Sequence, residues 1–277
     1  NEARLEYELR QALTLPAQAF RDVYLHYQPI ISMATGHLIG YEALVRWRHP
    51  ELGQIAPDRF VALAEEIGLI ETLSWWILTN ACRQLREWRS LSGGSQLVMQ
   101  VNISPVLLMQ MHFADCVAAV LRDTDVPGDA LKLEITESST LDVEEIGLQS
   151  LEKLRALGVG LCIDDFGTGY SSLSRLRELP IETIKIDRVF ISRMSSLNDG
   201  LAIVEMILAL GETLKMDIVA EGVETNEQWQ LLRAIGCVLG QGFLFSLPLD
   251  AHMAGELIGK RLTLEDRQFK WTSIELP

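Results

Sequence analysis

Short strand-like segments alternate with longer helical ones along this chain, and that alternation restricts the fold more than any other property of the sequence. The strand-like segments are 23–31 (VYLHYQPII), 39–46 (IGYEALVR), 97–103 (LVMQVNI), 131–136 (LKLEIT), 159–164 (VGLCID), 183–187 (TIKID), 217–221 (DIVAE) and 238–243 (VLGQGF). Helical patterns occupy 57–67, 70–90, 105–122, 143–157, 188–196, 199–214, 225–235 and 250–259. Pro57 marks a helix start, Gly158 and Gly236 follow helix ends, and Thr225 can cap the helix that begins at Asn226. Strand and helix in regular succession predict a mostly parallel sheet covered by helices. Eight strands suggest closure, giving an α/β fold of the modified TIM-type (βα)8 barrel class. Only SMATGHL, residues 32–38, joins the first two strands, too short for a helical crossover. It reads as a hairpin, so one strand near the N-terminus is expected to run antiparallel to the rest.

Side chains on a strand alternate between its two faces. Ala43, Val45, Val101, Ile103, Leu133, Ile135, Ile184 and Ile186 form the face expected under the helices. The opposite face, turned into the barrel, then carries Glu42, Leu44, Arg46, Gln100, Asn102, Lys132, Glu134, Lys185 and Asp187. Unpaired buried charge costs several kcal/mol per ion. Glu42, Asn102, Glu134, Asp164, Asp165, Lys185, Asp187, Glu221 and Gln241 therefore need a reason to converge, and most lie near the C-terminal end of a strand, where barrel enzymes build their sites. Carboxylates in excess, with an Asn and without His or Cys, match a hard divalent ion such as Mg²⁺ or Mn²⁺. In the doublet Asp164-Asp165, one residue can bridge two ions while the other binds one, the arrangement used to hydrolyse phosphoryl esters. Lys132 and Asp187 are expected to pair lower in the barrel as a structural contact. The segment DDFGTGYSSL, 164–173, has glycines that allow close approach to a ligand and hydroxyls at Thr168, Ser171 and Ser172, and reads as a loop touching metal or substrate.

Composition removes several alternatives. With 24 Lys plus Arg against 38 Asp plus Glu, the 277-residue chain has a net charge of −14, which argues against wrapping duplex DNA. The four cysteines, Cys82, Cys116, Cys162 and Cys237, form no CxxC and read as buried thiols. That fits a reducing compartment, so the expected location is the cytoplasm, as a free protein or as the cytoplasmic domain of a membrane-anchored one. No apolar run reaches the ~18 residues needed to span a bilayer. One domain is expected over 20–260, preceded by an amphipathic helix at 1–19 that ends an upstream module and followed by a C-terminal tail at 261–277.

Taken in order, YQPI at 27–30, YEALVRWRHP with Glu42-Ala43-Leu44, VNIS at 101–104, LEITES at 133–138, DDFGTGYSSL, IKID at 184–187, AEGVET at 220–225 and GQGFLFS at 240–246 resemble the EAL-domain family of cyclic di-GMP phosphodiesterases. The likeness runs from about residue 20 to 250. It implies a barrel with one antiparallel strand, and hydrolysis of the bacterial second messenger cyclic di-GMP to linear pGpG with two Mg²⁺ or Mn²⁺ ions per site. Calcium would bind in their place and inhibit. By position, Glu42, Asn102, Glu134 and Asp164 look like ligands of one metal, and Asp164, Asp165 and Glu221 like those of the second. Lys185 resembles the lysine that holds the nucleophilic water, with Gln241 near that water. Glu137 resembles the glutamate that fixes the 164–173 loop. Arg46 is expected to grip a substrate phosphate, and Gln28, Pro29, Leu44 and Asp187 to lie against the substrate. The resemblance further implies a homodimer through the region after the 164–173 loop and the helix near 188–196, where Val189, Phe190, Ile191 and Met194 offer apolar material that ordinary packing explains equally well. It also implies an upstream GGDEF or sensor module.

One departure is visible: Leu247-Pro248 stands where many relatives have a basic residue before the proline, which bears on substrate affinity more than on chemistry. Two other readings compete with an active phosphodiesterase. One is a catalytically weak cyclic di-GMP receptor, which has no need of a complete ligand set. The other is a metal-dependent barrel hydrolase of some other phosphoester.

Overall fold

The computed structural model describes residues 2–14, 20–141, 145–169, 173–194, 198–265 and 268–273. Its strands are β1 (Val23–Ser32), β2 (Leu38–His49), β3 (Gly53–Ile55), β4 (Val98–Asn102), β5 (Leu131–Thr136), β6 (Gly160–Phe166), β7 (Thr183–Ile186), β8 (Asp217–Ala220), β9 (Leu239–Gly240), β10 (Lys260–Glu265) and β11 (Gln268–Ser273). Pairing runs in the order β1-β9-β8-β7-β6-β5-β4-β2, and β1 pairs again with β2, so eight strands close a barrel. β3 stays outside, paired only with the end of β2. The reversed strand is β1, antiparallel to both β2 and β9, while the remaining barrel pairs are parallel. The short 32–38 connection thus acts as the hairpin expected of it.

The period-two pattern sorts as its chemistry requires. Ala43, Val101, Leu133, Ile135, Ile184 and Ile186 are buried in the layer beneath the helices. Helices Pro57–Glu66, Ile70–Arg89, Phe113–Thr124, Glu145–Ala156 and Asn198–Leu214 form much of the outer ring. The helical pattern at 105–122 is divided in the structure, with Pro105–Leu108 and Phe113–Thr124 as separate helices. Cys82, Cys162 and Cys237 are buried thiols as expected, but Cys116 is exposed, because it sits on the solvent side of helix Phe113–Thr124 while Val117 and Ala114 face inward.

The N-terminal helix expected at 1–19 is present but packs on the barrel, and the C-terminal segment holds strands that were not expected. Helix Glu2–Thr14 places Leu5, Leu9 and Leu13, one every fourth residue, at 2 % exposure or less in the same core as the barrel. The stretch expected as a C-terminal tail contains the β10–β11 hairpin. Phe269 packs edge-on against Trp229 and Phe245, and Trp271 Nε1 donates to Phe245 O at 3.3 Å. Gly36, with φ +72°, lets the other end dock, since a Cβ there would lie 2.0 Å from Leu262 O.

Leu9→Ala should lower stability by about 2–5 kcal/mol, as a fully buried leucine does. Thermal unfolding measures this, and an unchanged midpoint would mean that the helix does not pack on the barrel in solution.

Candidate active site

Lys185 on β7 is the centre of the site. Its ammonium is fully buried and lies 2.7 Å from Glu221 Oε1, 3.0 Å from Glu134 Oε1, 3.2 Å from Glu42 Oε2 and 3.3 Å from Asp164 Oδ1. The four acids come from β2, β5, β6 and the residue after β8, so strand closure alone brings them together. Asn102 Nδ2 donates to Glu42 Oε1 at 2.9 Å, and Gln241 Nε2 donates to Glu42 Oε2 at 2.6 Å and to Gln28 Oε1 at 2.9 Å. Gln28 reaches this network because β1 is reversed and pairs it directly with Glu42.

One ammonium cannot balance four carboxylates in a dry barrel. Burial pushes Glu134 well above the usual carboxylate range, with Glu42 adding to the push, and burial with Asp164 and Glu42 takes Glu221 up to about 8 against the pull of Lys185. Burial acts on Glu42 too, but the Lys185 charge and hydrogen bonds from Gln241, Lys185 and Asn102 leave it below its ordinary value. For Lys185, burial opposes ionisation, and the surrounding carboxylates outweigh it and hold the ammonium charged. Oxygen-rich, acidic and short of positive charge, the donor set fits hard divalent ions. Among the described residues two groups have the spacing to hold one each, Glu42 with Glu134 and Asp164, and Asp164 with Asp165 and Glu221.

Asp165 has a left-handed backbone, φ +55°, a strained state for a non-glycine residue that recurs at functional sites. Its carboxyl is raised to about 6 by burial, by Asp164 and by a hydrogen bond with Asp187. Glu137 Oε2 accepts from Gly167 N at 2.7 Å and Gly169 N at 3.0 Å, which ties down the start of the glycine-rich loop. Thr168 Oγ1 donates to Asp165 O at 2.8 Å and so serves the loop's own backbone. Ser171 and Ser172 lie outside the described residues.

Two clefts open over this centre. One, of about 510 Å³, is lined by Gln28, Glu42, Asp165, Asp187, Glu221 and Gln241 among others. The other, of about 480 Å³, is lined by Leu44, Arg46, Asn102, Asp164 and Asp165 among others, and Asp58 borders both. Pro29 is buried in β1 opposite Tyr41 and lines neither cleft. The expected Lys132–Asp187 pair is absent. Lys132 Nζ donates to Thr183 Oγ1 at 2.8 Å and lies 3.7 Å from Asp217, at the N-terminal ends of β7 and β8. Asp187 follows the opposite end of β7, where its side chain accepts from Val189 N at 2.7 Å and caps helix Arg188–Arg193. Four residues of strand, about 13 Å, separate Thr183 from Asp187. Of the apolar residues expected near a dimer interface, Ile191 and Met194 are buried and Val189 is exposed. Phe190 packs against the core, over Gly167.

Sequence reasoning passed over Asp58, Arg188 and Phe243, which line the larger cleft. Arg188 and Phe243 adjoin strand-end motif residues and were open to inspection, whereas Asp58 follows β3, which has only three residues and no period to read. Cys162, already expected to be a buried thiol, lies close enough to this centre that Glu134 adds to the push that burial gives it far above the usual thiol range.

The arrangement is a ring of acids around one buried lysine, with two groups spaced to hold a metal ion, at the open end of a closed barrel. The EAL domain family model matches residues 8–248, and the chain belongs to that family. It is 44% identical over 250 residues to the bifunctional diguanylate cyclase/cyclic di-GMP phosphodiesterase MucR of Pseudomonas aeruginosa, covering 90% of this chain and 36% of MucR. It is 44% identical over 259 residues to the cyclic di-GMP phosphodiesterase NbdA of the same organism, covering 93% of this chain and 32% of NbdA. The chain thus spans about a third of the length of these curated relatives. Among solved structures, the PaMucR phosphodiesterase in complex with c-di-GMP superposes with a TM-score of 0.85 at 43% identity, covering 91% of this chain and 99% of that one. The EAL enzyme Bd1971, in its cAMP- and cyclic-di-GMP-bound form, gives 0.86 at 31% identity, covering 93% of this chain and 69% of that one.

Two outcomes follow for the metal-free protein. Glu221 and Asp165 hold protons in the folded state that the unfolded chain releases at lower pH, so stability should fall as pH rises from about 4.5 through about 8. Thermal unfolding in EDTA across that window checks the sign. Glu134→Gln should raise the metal-free melting temperature by removing one of four crowded carboxylates, and should abolish the rise that Mg²⁺ gives the wild type.

Proposed function

We propose that this chain is a metal-dependent cyclic di-GMP phosphodiesterase that opens its substrate to linear 5′-pGpG. The observation that carries this reading is the convergence of Glu42, Glu134, Asp164 and Glu221 on Lys185 beneath two open clefts. The names of MucR and NbdA support cyclic di-GMP as the substrate. Two divalent ions, one held by Glu42, Asn102, Glu134 and Asp164 and the other by Asp164, Asp165 and Glu221, would supply Lewis-acid charge and lower the pKa of water.

The residues of the chain do the positioning. Lys185 Nζ donates to the attacking water and holds it in line with the scissile bond. The water oxygen bonds to phosphorus, the P–O3′ bond breaks, and the water's proton ends on the released 3′-hydroxyl. Gln241 and Asn102 fix Glu42 from two sides. Glu137 holds the loop that follows the aspartate doublet. Arg46, half-buried on the smaller cleft, offers its guanidinium fork to a non-reacting phosphoryl oxygen.

In the cell we place this domain in the cytoplasm, working as a homodimer within a longer protein that carries an upstream GGDEF or sensor module. Among the described residues no helix is long and apolar enough to cross a membrane.

The deciding experiment is incubation with cyclic di-GMP and Mg²⁺ or Mn²⁺, products resolved by chromatography, with EDTA as control. Linear pGpG formed only with metal supports the enzyme; tight binding without product assigns a receptor instead. Lys185→Ala should cut kcat by about 100-fold or more, with far less effect on cyclic di-GMP binding. Equal losses in both would refute the water-positioning role. Calcium should support binding but little turnover, because its loose coordination suits in-line geometry poorly.

A further inference from the structure

The larger cleft has a wall that the chemistry just described does not use. Arg188 opens helix Arg188–Arg193 directly after the capping Asp187, and lines this cleft together with Glu224 and Phe243. The root of its side chain is pressed against Gly222, φ +65°, where an added Cβ would come 2.4 Å from Arg188 Cβ. Glycine at 222 is what lets the arginine sit there. No ion pair involves Arg188 among the described residues, although six carboxylates line the same cleft, those of Glu42, Asp58, Asp165, Asp187, Glu221 and Glu224. Phe243 is 57% exposed at this wall, with no aromatic partner among the described residues.

A phosphate is a poor occupant for this wall, because Asp58, Asp187 and Glu224, which hold no metal in the reading above, repel it. A neutral, flat, polar ring suits it better. Phe243 offers an apolar face for stacking. An arginine fork matches a pair of acceptors side by side, which guanine presents as O6 and N7 and adenine does not, since its exocyclic N6 is a donor. Guanine's remaining donors, N1–H and the 2-amino group, suit a wall rich in carboxylates.

We propose that Arg188 is a specificity-determining residue, reading O6 and N7 of one guanine that stacks at Phe243 in the larger cleft. This rests on the reading of the site as one that acts on cyclic di-GMP. The test measures kcat and KM for cyclic di-GMP, and the inhibition constant of cyclic di-AMP against it, in wild type, Arg188→Gln and Arg188→Lys. Arg188→Gln should raise KM about tenfold with kcat nearly kept, and should erode the preference for the guanine dinucleotide by a similar factor. Arg188→Lys, which keeps the charge but loses the fork, should behave like Arg188→Gln. Gly222→Ala should reproduce the loss by displacing the arginine. Unchanged KM, full rescue by lysine, or equal weakening of both dinucleotides would overturn the assignment, the last pointing to a phosphate contact. A wild-type protein that neither binds nor hydrolyses cyclic di-GMP would sink the functional reading and this inference with it.

Discussion

The buried Lys185 ammonium and the four carboxylates around it set the terms for the rest of the molecule. Charges in a low-dielectric interior are tolerated only when they are paired, and here the pairing is incomplete by design of the donor set. Such a centre is a drain on stability in the absence of cations. The fold meets that cost elsewhere, in the apolar layer between strands and helices and in the leucines of helix Glu2–Thr14, which belong to the same core. The site carries its own share of unfavourable terms, in the left-handed Asp165 and the raised carboxyls of Glu134 and Glu221, although Phe20, Asp125 and Lys215 hold the same backbone state elsewhere.

Reversal of β1 has a direct consequence for that centre. Antiparallel pairing sets Gln28 opposite Glu42, and Gln241 then bridges the two from the far side of the closure. The seam of the barrel and the polar network of the site are therefore one structure. The β10–β11 hairpin braces the neighbouring loop through Phe245, beyond the stretch that the family model covers.

Much of this was legible in the sequence. Period-two alternation separated Ile184 and Ile186 from Lys185, and Leu133 and Ile135 from Glu134, because a strand's faces are fixed by backbone geometry alone. A seven-residue link between the first two strands forced a hairpin. The failures have physical causes as well. Lys132 and Asp187 were paired on charge without regard to height, though they sit at opposite ends of the barrel. The hairpin escaped notice because each strand has only two large apolar residues in its sequence, and burial for Leu262, Phe269 and Trp271 comes from partners distant in sequence.

By itself, the sequence determined the kinds of element, the inward or outward sense of each strand residue, and the presence of an acidic, histidine-free set of metal-type donors, since all of these follow from local periodicity and residue chemistry. Only the tertiary structure decided that four of those acids meet on one lysine, that β1 is the strand that reverses, and that Arg188, Asp58 and Phe243 share a wall. Those facts depend on how far strands are staggered around a closed sheet and where loops come to rest, and neither quantity is written in any local stretch of chain.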